Sequence, residues 1–331
     1  MRLIAVASLW SCVAFSQPRK VTTLQGETMG TTYSIKVSSS TPLPFNLKQK
    51  VDLLLVGLNK KLSTYITTSE ISKFNQLPAM SKHTASKEML ENFEISKKVH
   101  RLSSGAFEPT ISNLVDLWGF GKPAAGTPKH SQIKAAMLHI GITKIRQTAD
   151  TLIKTDDKIR LDFSGVAKGY AVDKIAEYLR KKMLKNFLVE IGGEILAEGE
   201  KQEDQAWTLG IEAPVYNERS LFKTLKLSGN SMATSGSYRN YREIQGRRLS
   251  HIIDPRTGYP IEHRTASVTV IHKDCGTADA LATAFMVMGL EKGIKVADTN
   301  GIAAYFISRG SKSFTAKASA AFTTYMLKKG Q

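Results

Sequence analysis

Ala266-Ser267-Val268-Thr269-Val270-Ile271-His272-Lys273-Asp274-Cys275-Gly276-Thr277-Ala278-Asp279-Ala280-Leu281-Ala282-Thr283-Ala284-Phe285-Met286 reads as a strand, Ala266 to His272, running directly into a helix. On that helix Asp279 and Thr283 stand four residues apart, so a carboxylate and a hydroxyl project from one face, one turn above the other. Ala280, Leu281, Ala282, Ala284, Phe285 and Met286 around them are small or apolar, which makes this a buried helix with two polar groups near its start. Buried polar groups need partners. Two readings supply them. A hard cation such as Mg²⁺ prefers oxygen ligands and takes few of them from protein, leaving the rest to water or substrate phosphate. Alternatively, Asp279 caps its own helix and Thr283 bonds a carbonyl one turn back, as short polar side chains do.

The 331 residues are enough to bury a substantial core in one large domain or two closely joined ones. A formal net charge of +17 raises nucleic acid, an acidic membrane surface and phosphate-bearing ligands as partners. The Lys and Arg are scattered, however. They cluster only briefly, at Lys60-Lys61, Lys97-Lys98, Arg180-Lys181-Lys182 and Arg247-Arg248, without the interleaved aromatic residues of a base-stacking platform. A diffuse basic surface that does not bind nucleic acid is expected.

At the N-terminus, Met1-Arg2 precedes an almost entirely apolar run from Leu3 to Phe15, followed by Ser16-Gln17-Pro18-Arg19-Lys20. The run is too short to span a bilayer and suits a secretory signal over residues 1–16. Ala14-Phe15-Ser16 has the small-x-small form of an ordinary cleavage site, whereas Leu9-Trp10-Ser11-Cys12 loosely resembles a lipoprotein box that would tether the chain to a membrane through Cys12. Either reading exports the product, as a periplasmic protein or one anchored to the inner membrane and facing the periplasm. Without the leader, Cys275 is the one remaining cysteine, so a disulfide framework is not expected. Near a helix start, Cys275 reads either as a nucleophile of lowered pKa or as a small packing residue.

In chain order, Val21 to Val37 is expected to form strand, turn and strand, bending at Met29-Gly30-Thr31. A helix over Leu47 to Leu62 follows, with Leu47, Val51, Leu54, Leu55, Leu58 and Leu62 as its apolar stripe. Tyr65 falls in the loop before a further turn or two of helix at Ser69 to Asn75. Ser86 caps a helix running to Leu102. Gly105-Ala106-Phe107-Glu108-Pro109-Thr110 and Leu117-Trp118-Gly119-Phe120-Gly121 put two aromatics among three glycines, a compact loop against something flat. After a short helix from His130 to His139, three strands are expected at Lys144–Thr148, Thr151–Lys154 and Lys158–Phe163.

Leu161-Asp162-Phe163-Ser164-Gly165-Val166-Ala167-Lys168-Gly169-Tyr170-Ala171-Val172-Asp173 then reads as a strand end, a Gly-containing bend and the start of a long amphipathic helix. Helix starts present free N–H groups and a positive dipole end, which suits phosphate. Lys168 in the first turn opposes that dipole, and the conflict favours a ligand for its charge. No Walker-type P-loop or Rossmann fingerprint is present. Strand Phe187–Ile191 ends at Gly192-Gly193-Glu194. Glu190 and Glu194 read either as a carboxylate pair for acid/base work or as ordinary strand and turn residues. Strands follow at Trp207–Glu212 and Leu221–Leu227. In Leu249-Ser250-His251-Ile252-Ile253-Asp254-Pro255-Arg256-Thr257-Gly258, His251 and Ile253 share a strand face before a Pro/Gly turn. Closing strands are expected at Ile302–Ser308 and about Ala318–Leu327. A cation site, a helix start bearing a Lys, Gly-bounded aromatic loops and a strand His together fit phosphoryl chemistry, and no classical hydrolase triad is visible.

Met29-Gly30-Thr31, Leu62-Ser63-Thr64-Tyr65, Gly105 to Thr110, Leu117 to Gly121, Asp162 to Asp173, Ser250 to Gly258 and Ala278-Asp279-Ala280-Leu281-Ala282-Thr283 resemble, in this order, the motifs of the ApbE-type FAD:protein FMN transferases, over about Gly26 to Leu290. The resemblance implies Mg²⁺-dependent transfer of the FMN moiety of FAD to a Thr or Ser hydroxyl of an exported or membrane redox protein, with AMP leaving. It implies that Asp279, Thr283 and the carbonyl of Gly165 hold the metal. Met29, Tyr65, Ala106, Phe107, Glu108, Asp162, Lys168 and the backbone at Ile253 would bind FAD, and His251 would assist deprotonation of the acceptor. Some members carry a second carboxylate just before the metal-binding Thr, where this chain has Ala282. The same site admits two other readings, a FAD pyrophosphatase and a non-catalytic exported FAD-binding protein. Because strand meanders and long helices alternate irregularly, the expected fold is α+β, with mixed or antiparallel sheets flanked by helices and two closely packed subdomains within residues 21–327, divided near Gly121 to Thr127.

Overall fold

Two nine-residue strands, β1 (Lys20–Thr28) and β2 (Thr31–Ser39), open the described chain as a hairpin. A computed structural model describes residues 18–121, 126–215, 220–237, 241–244, 247–311 and 313–326. The leader over residues 1–16, the tether residue Cys12 and most of the expected subdomain boundary lie outside them. Six further strands join the hairpin: β3 (Phe187–Ile191), β4 (Glu194–Glu198), β5 (Asn230–Gly236), β6 (Thr265–His272), β7 (Ala303–Arg309) and β8 (Phe314–Ala318). They lie side by side in chain order, and every pair is antiparallel.

The described residues form seven α-helices: α1 (Leu47–Leu62), α2 (Glu70–Gln76), α3 (Lys87–Leu102), α4 (Ser112–Leu117), α5 (His130–Met137), α6 (Ala167–Lys181) and α7 (Cys275–Thr299). Helices α1, α6 and α7 cover one face of the sheet, and α3 packs on α1 and α7. A three-stranded sheet (Glu200–Gln202, Gln205–Glu212, Leu221–Leu227) covers part of the other. Strands β6 and β7 are therefore buried on both sides, whereas the edge strands β1 and β8 stay largely open to solvent. In β7, Ala304 and Phe306 join the helix-side core, while Ala303, Tyr305 and Ile307 join the core against the small sheet, the period-2 alternation of a pleated strand. Full burial of a Phe or Ile contributes about 1.5–3 kcal/mol, so this double-sided sheet is the main source of stability.

Helix α7 lies in the middle of the helical layer, and its run from Ala278 to Val287 is buried nearly all round, as its apolar composition requires. Its helical conformation is interrupted at Gly289, where the Leu290 N–H donates to Thr265 Oγ1 at 3.0 Å. Ser69 and Ser86 cap α2 and α3 through their hydroxyls, accepting from the N–H groups of Ser72 and Met89.

Three expectations need correction. Lys158–Phe163 is not a strand, because its backbone groups find partners outside any ladder: the Leu161 N–H donates to Asn75 Oδ1 and its carbonyl accepts from Asn75 Nδ2, at 2.7 and 2.8 Å, and the Asp162 N–H donates to the Pro109 carbonyl at 2.7 Å. The last strand, Phe314–Ala318, ends where the expected one begins, because the Ser319 hydroxyl bonds the Ala304 N–H, the Ile302 carbonyl and the Phe322 N–H, turning the chain into a 3₁₀ helix over Ala321–Tyr325. Leu327, the end of that expected strand, lies outside the described residues. His251 sits in a bend, not on a strand face with Ile253, which begins a two-residue ladder with Tyr259-Pro260.

Candidate active site

Helices α6 and α7 start side by side, and each caps the other. Asp173 on α6 accepts from the N–H groups of Cys275 and Gly276, both at 2.8 Å, and Asp279 Oδ2 on α7 accepts from the Gly169 N–H at 3.1 Å. Helix starts carry unpaired N–H groups and a positive dipole end, so two carboxylates suit the crossing. Gly169 makes it possible, since a Cβ there would stand 2.3 Å from the Cys275 carbonyl oxygen. Burial pushes the Asp173 carboxyl up to about 6, while its two N–H bonds pull the other way.

Neither polar group of α7 turns back on its own helix. Asp279 is 3% exposed and serves α6, while Thr283 Oγ1 pairs with Ser235 Oγ of β5 at 3.1 Å. The ammonium of Lys168 lies beside them, 2.9 Å from Glu194 Oε1 and 3.8 Å from Asp279 Oδ2. The charge of Lys168 therefore has carboxylate partners within the protein, which the sequence reading had left to a ligand. Burial works against that charge, and the carboxylates of Asp279 and Glu194 outweigh it, holding the ammonium above the usual lysine range. Burial pushes the Glu194 carboxyl, itself 3% exposed, upward against the pull of Lys168.

Glu194 arrives by a tight hairpin between β3 and β4 whose two turn residues, Gly192 and Gly193, have φ of 61° and 104°. Both fall where a side chain is strained. A Cβ on Gly192 would meet Thr31 at 2.9 Å and Lys168 at 3.5 Å, so this turn closes directly onto the lysine.

These groups form one end of a cavity of about 1730 Å³. The turns Met29-Gly30 and Gly192-Gly193 border it, as do Tyr65, Ala106, Phe107, Glu108, Asp162, Gly165, His251 and Ile253, so every residue that the family resemblance assigns to the site reaches one space. Their surroundings differ. Tyr65 is 83% exposed at the rim. Met29 holds a φ of 50°, uncommon without glycine. The carboxylate of Glu108 is bonded to the N–H groups of Thr110 and Ile142 and to the Thr110 hydroxyl, and lies 3.3 Å from His100 Nδ1, which shapes the loop carrying Ala106 and Phe107. Asp162 Oδ1 accepts from the N–H and hydroxyl of Ser164, folding the bend that delivers Gly165. His251 stands edge-on to Phe120, their ring centroids 6.4 Å apart. Ile253 is buried with Leu114, Trp118 and Ile133, and the Trp118 indole N–H donates to the Gly258 carbonyl at 2.8 Å. The aromatic loop Leu117–Gly121 thus packs against the Asp254–Gly258 turn.

Ser235 and the capping residues Asp173 and Gly169 were not identified as site residues from sequence, and Glu194 was read only as one of a carboxylate pair with Glu190 or as a turn residue. Gly-Gly before Glu is a usable signal for a tight turn aiming an acid. Nothing local marks Asp173, whose partner helix begins 102 residues later. Cys275 is fully buried, and burial drives its thiol upward, so it packs and is not an activated nucleophile.

The residues present fit a hard cation. The donors are oxygens, and Glu194 Oε2 is buried with no hydrogen-bond partner. The Gly165 backbone runs against Thr283, with a Cβ on it reaching Oγ1 at 3.3 Å. The carboxylate beside Asp279 comes from Glu194, across space, and not from position 282, where Ala282 is buried in the core.

The family model of the ApbE family matches residues 29–306. A FAD:protein FMN transferase of Vibrio cholerae is 38% identical over 330 residues, 98% of this chain and 99% of its own. One from Haemophilus influenzae is 37% identical over 331 residues, 97% and 96% of the two chains. Among solved structures, Flavin Transferase ApbE from Vibrio cholerae superposes with a TM-score of 0.86 at 37% identity, covering 93% of this chain and 100% of that one. The apo form of the Pseudomonas stutzeri flavinyl transferase ApbE does so with a TM-score of 0.86 at 39% identity, covering 93% and 98%.

Proposed function

The chain belongs to the ApbE family, and from that premise we propose that it is a FAD:protein FMN transferase, moving the FMN moiety of FAD to a Thr or Ser hydroxyl of an exported or membrane redox protein and releasing AMP. One observation carries the reading. Asp279, Thr283, Gly165 and Lys168 line one cavity of about 1730 Å³, with Gly165 packed against Thr283 and the Lys168 ammonium 3.8 Å from Asp279. Small-molecule pockets usually occupy roughly 300–1000 Å³. A dinucleotide and an incoming acceptor segment have room together.

Asp279, Thr283 and the Gly165 carbonyl would hold Mg²⁺, which when bound neutralises the pyrophosphate and stabilises charge on the oxygens in flight. Lys168 presents a second positive charge beside them. Phosphoryl transfer depends mainly on such positioning and charge stabilisation. Met29, Tyr65 and Phe107 offer apolar and aromatic surface to the flat rings of FAD. The acceptor oxygen bonds to the FMN phosphorus, the P–O bond to AMP breaks, and AMP leaves with the electron pair. His251 takes the hydroxyl proton, a task suited to imidazole near neutral pH. We place the acceptor outside the cytoplasm, on the strength of the apolar run Leu3–Phe15. Among the described residues no helix is long and apolar enough to cross a membrane.

Incubation with FAD, Mg²⁺ and a candidate acceptor tests the reading. Covalent flavin fluorescence on the acceptor is expected. FMN plus AMP with no labelled acceptor would make the chain a pyrophosphatase, and intact FAD would make it a binding protein.

A further inference from the structure

The two-residue turn Gly192-Gly193 aims Glu194 into the site. Both glycines hold a positive φ, Gly192 packs directly against Thr31 and Lys168, and the carboxyl that the turn delivers is almost fully buried. One oxygen of that carboxyl takes the Lys168 ammonium at 2.9 Å, while the other has no partner. The same ammonium stands 3.8 Å from Asp279 Oδ2, outside hydrogen-bond distance. Two buried acids thus share one cation, and the geometry assigns it to Glu194.

We propose that Glu194 is a positioning residue that holds the Lys168 ammonium away from Asp279, keeping the Asp279 carboxylate available to a divalent cation. This rests on the reading of Asp279 and Thr283 as cation ligands. The physical reasoning is competition. A flexible ammonium on a four-carbon stem will settle on whichever buried carboxylate is open to it, and a lysine seated on Asp279 must be displaced before Mg²⁺ can bind there. Anchoring the lysine on Glu194 removes that competitor while leaving its charge in the cavity. Glu194 thereby acts through Lys168, and its loss is repaired by removing the lysine as well.

A double-mutant cycle on the full chain tests this without FAD or turnover. The readout is the rise in Tm with added MgCl₂, from which a Kd for Mg²⁺ follows. Glu194→Met frees Lys168 onto Asp279 and should weaken Mg²⁺ binding about 10-fold or more. Lys168→Met alone should tighten it, because two acids lose their resident cation. Replacing both partners of a buried pair with apolar side chains of similar size is usually tolerated by the fold. The double variant should therefore fold and bind Mg²⁺ within about threefold of the wild type, a coupling that contacting residues show and independent ones do not. Unchanged binding in Glu194→Met, or a double variant as weak as Glu194→Met, overturns the proposal; the second result makes Glu194 a direct ligand. If Glu194→Met does not fold, Glu194→Gln, which keeps the shape but loses the charge that holds the ammonium, takes its place in the cycle with the same outcomes. Asp279→Ala separates the two levels. If it binds Mg²⁺ like the wild type, the cation-site reading fails and this inference with it. If it loses Mg²⁺ and the cycle shows no compensation, this inference alone fails.

Discussion

Asp279 does two jobs, and a pair of substitutions can divide them. Its carboxylate accepts the Gly169 N–H at the start of α6 and stands among the candidate cation donors. Asp279→Ala should abolish Mg²⁺ binding, cut FMN transfer by at least about 100-fold, and lower stability by about 1–3 kcal/mol, because a buried N–H is left unpaired. Asp279→Asn keeps an acceptor for that N–H, so stability should largely return while Mg²⁺ binding stays lost. Calorimetric titration and thermal melts distinguish the outcomes, and an Asn variant that binds Mg²⁺ normally would remove Asp279 from the ligand set. At this scale the sequence was most legible where spacing alone places side chains, as with Asp279 and Thr283 four apart on a helix. It was least legible for Glu194, whose partners Lys168 and Asp279 lie on other elements.

Helices α6 and α7 are held start to start by reciprocal capping, and the pH response of that contact follows from Asp173. Its carboxyl is raised by burial to about 6 from an ordinary value near 3.8. A raised folded pKa means the folded chain binds the proton more tightly than the unfolded chain. The stability it contributes is complete below about pH 3.8 and is lost as pH rises through about 6. Asp173→Asn, which cannot titrate, should flatten the pH dependence of Tm over that window. Its destabilisation relative to wild type should be larger at pH 4 than at pH 7. A deficit that grows toward pH 7 would mean that the ionised cap is the stabilising form.

The same scale shows why some elements were readable and others were not. The apolar stripe of α1 and the Ser86 cap of α3 are local signals, and the structure follows them. Lys158–Phe163 carries a strand-like pattern, yet the side chain of Asn75 takes the backbone groups of Leu161, a pairing 86 residues apart. Ser319 similarly ends the last strand through its hydroxyl. Side chains that take the place of a neighbouring strand leave no periodic trace in the sequence.

For the whole molecule, an α+β fold was legible because strands and helices alternate without βαβ regularity. That the eight strands lie in chain order was not, since sheet order depends on contacts between distant segments. The cavity has the same origin. Two hairpin turns, the loop carrying Ala106 and Phe107, the start of α6 and the buried face of α7 surround it, and no single stretch encodes it. Motif order in the sequence pointed to the flavin reaction, and the fold supplies a physical ground by bringing those motifs to one space. The account stands or falls on which phosphorus moves. FAD carrying radioactive phosphorus only in its FMN half should, with Mg²⁺ and an acceptor protein, leave its label on an acceptor Thr or Ser while unlabelled AMP appears in equal amount. Label recovered only as free FMN, or remaining in FAD, would contradict it.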